Sequence, residues 1–334
     1  MSKADFQIVG PTDEIEERPL FITIYGHPGI GKTSVSFTAP SPILFDFDGG
    51  MERAFQGLRP PTIKVRKFDG FYDYVMGRQF EQYVLNEGIG TVIIDTVGTL
   101  LDDYIAPWLI SNNPKAGTRS GGLTLSGWGQ LSVTFNNLRN RLRELGLHVV
   151  AIAHAKEEGD GPSQQTVLAV KGGTSDIIYR VSDMIGYMHP SGSERIIDFK
   201  PMETHVGKDI TGRGAYVVPD VNSTDYNTFL SGIIQDAYAA MNIHAKRQRT
   251  AKEQVQEFRD SIYNAGSLDE VSKLVEGLKG KNYPEIVLVQ MRSIFKEYLQ
   301  EHGLKYQDGE FVEVEATGAP SEKPKKTTNK TTKK

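Results

Sequence analysis

Gly26-His27-Pro28-Gly29-Ile30-Gly31-Lys32-Thr33 is the stretch on which the reading of this 334-residue chain turns. It follows Leu20-Phe21-Ile22-Thr23-Ile24-Tyr25, whose apolar, β-branched and aromatic content predicts a buried strand. It precedes residues 32–39, which suit a short helix closed by Pro40 and Pro42. Glycines at these places let the backbone turn successive N–H groups inward around phosphates, while the helix that follows presents its positive end. Lys32 then supplies a point charge for the β- and γ-phosphates, and the Thr33 hydroxyl is a Mg²⁺ ligand. The four specified positions match by chance in roughly 2% of chains of this length, and the flanking strand and helix lower that further. A dinucleotide fingerprint fits worse, because no G-x-G-x-x-G occurs and Lys32 would have no role. The expected ATP-binding set is Gly26, His27, Pro28, Gly29, Ile30, Gly31, Lys32, Thr33 and Ser34.

Outward from the loop, apolar runs at 43–47, 62–66, 91–95 and 148–153 read as further strands. Helical spacing over 72–87 and over 125–145, the latter with Leu131, Phe135, Leu138 and Leu142 on one face, separates them. Such alternation predicts an α/β sandwich with a mostly parallel sheet covered on both faces. Beyond Asp183, three short apolar runs at 184–188, 195–199 and 214–218 predict an antiparallel extension. A helix over 224–241, a polar linker over 243–250 and three short amphipathic helices within 251–303 follow. The expected organisation is a polar lead-in over 1–18, a nucleotide-binding core over 19–242, the linker, a helical C-terminal module, and a disordered basic tail over 304–334.

Composition narrows the function classes. A net charge of −4 argues against a uniformly basic nucleic-acid binder but leaves local patches open, and the lysine-rich end is one such patch. Zero cysteines exclude disulfides and thiolate metal sites. No apolar run approaches the ~20 residues of a membrane span, and residues 1–5 lack a signal-peptide core. The expected location is the cytoplasm, with no membrane partner.

Metal-dependent phosphate chemistry also needs an acid at a strand end. Asp95 closes Thr91-Val92-Ile93-Ile94-Asp95 and is the expected second metal ligand beside Thr33. Hydrolysis needs a further group to orient or deprotonate water. The order of phosphate loop, helix, strand and Phe45-Asp46-Phe47-Asp48-Gly49-Gly50 resembles the RecA-like recombinases, closest to the small phage-encoded RecA-like ATPases of single-strand annealing and recombination. By that resemblance Asp48 takes the water-activating position, where the family usually has glutamate, with Asp46 the alternative. His154, in Ala153-His154-Ala155-Lys156, matches the γ-phosphate sensor, and Lys208 and Arg213 lie where relatives offer cations to a neighbour's nucleotide.

The resemblance covers roughly residues 20–219. It implies a Mg²⁺-dependent ATPase, stimulated by single-stranded DNA, that assembles as a ring or filament and works with a single-strand-binding protein. Two polar, glycine-containing stretches, 112–122 and 157–175, are the expected DNA-contacting loops. They lack aromatic residues, so phosphate contacts are expected to dominate there. Rival readings are a ring-type helicase or motor, a small-molecule kinase, and a nucleotide-gated binding protein that does not hydrolyse.

Overall fold

The structure is a computed structural model that describes residues 9–10, 13, 15–171, 173–281, 283–307 and 310–313. The chain divides into two compact units, the larger being Glu14–His244 and the smaller taking in Met1–Asp13 and Ala245–Lys334. Within the larger unit the order is β1 (Phe21–Gly26), α1 (Lys32–Ser36), β2 (Pro42–Asp46), β3 (Thr62–Lys64), α2 (Phe68–Met76), α3 (Arg78–Glu87) and β4 (Thr91–Asp95). There follow α4 (Val97–Thr99), a π-helical stretch (Leu100–Ile105), α5 (Ala106–Asn112), α6 (Leu125–Glu144), β5 (His148–Glu158), β6 (Gln165–Leu168), α7 (Thr174–Val181), β7 (Met184–Ser191), β8 (Glu194–Asp198) and β9 (Ala215–Val218). α8 (Phe229–Tyr263) closes the larger unit and opens the smaller, which contains α9 (Leu268–Glu276), α10 (Glu285–Glu301), β10 (Leu304–Gln307) and β11 (Glu310–Glu313).

The sheet runs β3-β2-β4-β5-β1-β7-β8-β9, with β6 paired to β5. From β3 to β7 every pairing along the sheet is parallel, and β8 and β9 continue it antiparallel. Side-chain alternation fills two cores. Phe21 and Tyr25, Ile43 and Phe45, Val92 and Ile94, Val149 and Ala151 face one layer, together with Phe71, Phe80, Phe135 and Leu138 from α2, α3 and α6. Ile22 and Ile24, Leu44, Ile93, Val150 and Ile152 face the other, against Val35 of α1 and Leu230, Ile233, Ile234 and Ala237 of α8. Because both faces are dry, each strand reads as a continuous apolar run. The molecule's larger unit is an α/β sandwich with a mixed, mostly parallel sheet and a small antiparallel extension.

Several element boundaries differ from the sequence expectation. The helix expected over 72–87 is two helices, broken where Gly77 takes an extended conformation, φ −84° and ψ 170°. α1 stops at Ser36, because Thr38 and Ala39 make tight i→i−3 bonds ahead of Pro40. β3 is shorter than expected and stops at Lys64. The stretch 157–175, read as a loop, holds the end of β5, β6 and the start of α7, and the β-branched residues Thr166 and Val167 are buried there. Residues 243–250, read as a linker, lie inside α8. Ala245, Lys246, Arg247, Gln248 and Arg249 are good helix formers, and no glycine or proline interrupts them, so their polarity alone does not end the helix.

The smaller unit has its own core of Phe258, Ile262, Val271, Val287, Met291, Ile294 and Tyr298. Ser267 caps α9 by accepting from the Glu270 N–H at 3.3 Å. Residues 304–307 and 310–313, part of the expected tail, form an antiparallel hairpin. The rest of the tail, 314–334, and most of the lead-in lie outside the described residues. Among the described residues, no helix is long and apolar enough to cross a membrane.

Candidate nucleotide site

Four parallel strands end on one edge of the sheet, and that edge carries the chemistry. β1 delivers Gly26 directly opposite His154 of β5, and β2 delivers Asp46 opposite Asp95 of β4. β5 lies between the loop-bearing β1 and the acid-bearing β4. Close approach explains Gly26, since a Cβ there would run into the Met188 carbonyl oxygen. Conformation explains Gly29 and Gly31, at φ 81° and 102°, where a side chain would be strained.

Lys32 is buried, and its ammonium donates to the carbonyls of Gly26 and His27, both at 2.9 Å. Burial lowers its pKa, against the opposing charges of Asp95 and Asp48. Thr33 Oγ1 donates to Asp95 Oδ2 at 2.8 Å. Burial pushes the Asp95 carboxyl up to about 6, partly offset by that hydrogen bond. Asp46 is also buried; its Oδ1 accepts from the N–H groups of Gly49 and Gly50, while its Oδ2 has no partner. Burial raises its pKa as well. Asp48 Oδ1 accepts from Gly50 N–H at 2.9 Å, and its Oδ2 lies 3.9 Å from His154 Nε2. Burial and the Lys32 charge lower the His154 pKa, with Asp48 opposing.

These parts surround a cavity of about 350 Å³. Pro28, Gly29, Gly31, Lys32, Thr33, Ser34, Asp48, Asp95 and His154 line it, so the structure brings most of the sequence-selected residues together. Gly26, His27, Ile30 and Asp46 do not line it. His27 turns toward Glu157, Nε2 to Oε1 3.8 Å, and Ile30 offers its carbonyl to Arg195 Nη1 at 3.3 Å. Lys208 and Arg213 lie apart from the cavity in this chain. Lys208 Nζ donates to the Ser182 carbonyl at 2.5 Å. Arg213 pairs with Asp236 at 3.0 Å and covers the Tyr216 ring.

Sequence reasoning missed four residues at the site. Arg53 and Ala54 line the cavity from the 3₁₀ turn after Gly50, and Ile152 closes it beside His154. Arg53 stands three residues beyond Gly50, but no local pattern announces that the turn folds it back. Arg195, on β8, reaches the loop from 165 residues away in sequence, which no linear motif could show.

The donor set of Thr33 hydroxyl and Asp95 carboxylate is all oxygen, the kind that suits Mg²⁺. Among the described residues no group of three or more histidine, cysteine or acidic side chains forms a metal cage.

No curated protein matches the chain. A family model described as an AAA domain matches residues 18–211, more than half its length, and takes in the phosphate loop, both strand-end acids and His154. With that match and a phosphate loop set among strand-end acids, the chain belongs to the AAA-domain family of P-loop NTPases, and residues 18–211 are its ATPase domain.

Proposed function

We propose that this chain is a Mg²⁺-dependent, RecA-like ATPase that assembles on single-stranded DNA and assists pairing during annealing or recombination. The observation that carries it is the placement of the acids. Asp95 bonds Thr33 at the end of β4, while a second acid, Asp48, reaches the same cavity from the separate, neighbouring strand end of β2. An acid closing the strand after the phosphate-loop helix is the arrangement of the RecA-like resemblance.

In this reading ATP lies along the loop, and Lys32 exchanges its two carbonyl partners for phosphate oxygens. Mg²⁺ held by Thr33 and Asp95 would neutralise charge on the β- and γ-phosphates. Asp48 orients water and accepts its proton as the water oxygen attacks the γ-phosphorus; the bond to the bridging oxygen breaks, and ADP and phosphate leave. His154 reads the γ-phosphate. β5 carries it and continues within four residues into the β5–β6 hairpin, a rigid route from nucleotide to the proposed DNA-contacting stretch. Lys208 or Arg213 completes the site of a neighbouring copy in a ring or filament, and the C-terminal helices serve as a partner-binding appendage.

The test is ATP turnover with and without single-stranded DNA, with particle size measured under each condition. Turnover that rises with single strands, in particles larger than one chain, is expected. No response of either quantity to DNA would overturn the reading, and transfer of labelled γ-phosphate to a metabolite would replace it with a kinase.

A further inference from the structure

Residues 53–68 carry Arg53, Arg59, Lys64, Arg66 and Lys67 and no acid, in a chain whose net charge is −4. Lys64 is spoken for by Glu52 at 2.9 Å. Arg66 and Lys67 are exposed, and neither forms an ion pair among the described residues. Both stand where the edge strand β3 passes into α2, at the same sheet edge as Asp48 and Asp95.

They line an open groove of about 650 Å³ whose wall is aromatic. Trp108 is partly buried and meets Phe68 edge-on at 5.2 Å, with Tyr72 behind it at 6.0 Å. Tyr104 is anchored by its hydroxyl, which donates to the Val65 carbonyl at 2.9 Å with the Phe47 carbonyl also near at 3.3 Å. Two carboxylates, Asp69 and Asp103, also line the groove, and Asp103 faces Lys171 Nζ at 3.8 Å.

We infer that this groove is a track for single-stranded DNA, with Arg66 and Lys67 on its phosphates and Trp108 offering a ring to one base. Cations beside a ring face suit a single strand, whose unstacked bases have open π-faces, better than a duplex. The inference rests on the proposed function and relocates part of its DNA contact. It adds aromatic stacking that 112–122 and 157–175 lack, and it gives a reason for coupling. Phe47 walls the groove, and the next residue, Asp48, lines the nucleotide cavity.

The chain has two tryptophans, so Trp128→Phe leaves Trp108 as the sole indole emitter. Titrating that full-length variant with oligothymidylate is expected to quench its emission. Arg66→Ala/Lys67→Ala, checked for an unaltered melting temperature, is expected to bind labelled oligothymidylate roughly tenfold or more weakly. Its log–log salt slope should be shallower by about 1.4, at ~0.7 per lost phosphate contact. Oligothymidylate that binds without quenching Trp108, and equally well to the double variant, would overturn the groove while leaving the DNA-stimulated ATPase standing. Tighter binding of oligouridylate would overturn DNA as the occupant. No binding of any oligonucleotide to the unaltered protein would remove both readings.

Discussion

Thr33 Oγ1 donates a 2.8 Å hydrogen bond to Asp95 Oδ2, joining the first turn of α1 to the end of β4 across 62 residues of sequence. The bond ties a loop side chain to a strand two places away in the sheet, past β5. It also stabilises the charged form of a carboxyl that burial penalises.

Stability should therefore depend on pH through Asp95. Its pKa is raised from an ordinary 3.8 to about 6 in the nucleotide-free fold. Between those values the folded chain binds more protons than the unfolded one, so the contribution of Asp95 to stability is fully present below 3.8 and is lost as pH rises through about 6. Asp95→Asn keeps an oxygen acceptor for Thr33 and removes the buried charge. It should stabilise the nucleotide-free protein by up to about 3 kcal/mol at pH 8 and change little near pH 4. Denaturant titrations at both pH values measure this, and an equal effect at the two would refute it.

Lys32→Met should abolish nucleotide-dependent stabilisation. At a hundredfold excess over its Kd, ATP with Mg²⁺ stabilises a binding-competent fold by about 2.7 kcal/mol. Thermal melts with and without nucleotide should show that gain in the unaltered chain and none in the variant.

The two acids at the end of β2 make separable predictions. On the proposed mechanism, Asp48→Asn lowers ATP turnover by roughly 10²- to 10⁴-fold with nucleotide affinity retained. Asp46→Asn keeps the Oδ1 that accepts from Gly49 and Gly50, and should leave turnover within a few fold. A reversed order in single-turnover rates would move the water-activating role to Asp46.

On the proposed action in trans, Arg213 would leave Asp236 to reach another copy's nucleotide. Arg213→Ala should lower turnover by about 10³-fold while preserving ATP binding. Mixing it with Lys32→Met protein should restore part of the activity, because an intact loop from one copy then meets an intact arginine from the other. A mixture no more active than its parts would refute action in trans.

Gly186→Ala tests the core away from the cavity. A Cβ there would stand 2.5 Å from Ile197 Cγ2 and 2.7 Å from Phe199 Cε1, so these two buried side chains must shift out of their packing. A loss of about 1–3 kcal/mol in chemical denaturation is expected.

How much of this could be read from the sequence follows from the range over which each signal acts. The loop from Gly26 to Thr33, the strand ending in Asp95 and the one ending in Asp46 are local patterns. Their glycine conformations, apolar runs and terminal acids are each set within a few residues, so the sequence by itself determined the phosphate loop, the parallel sandwich and the location of its acidic edge. Boundaries were less legible where composition and conformation part company. The polar stretch 243–250 continues a helix because its residues favour one, and the glycine-rich 157–175 forms a hairpin because Thr166 and Val167 find cover.

What only the tertiary structure decided is which distant groups meet. The order β1-β5-β4-β2 places His154 between the loop and Asp95, and brings Asp48 within 3.9 Å of His154. Folding of the turn after Gly50 puts Arg53 into the cavity, and the β8 pairing carries Arg195 onto the loop. The grouping of Trp108 with Arg66 and Lys67 has the same origin, since α5 and the β3–α2 junction are far apart in sequence and meet through the fold. Strand order and side-chain packing are properties of the whole folded sheet, settled by burial of both faces at once, and no local run of residues encodes them.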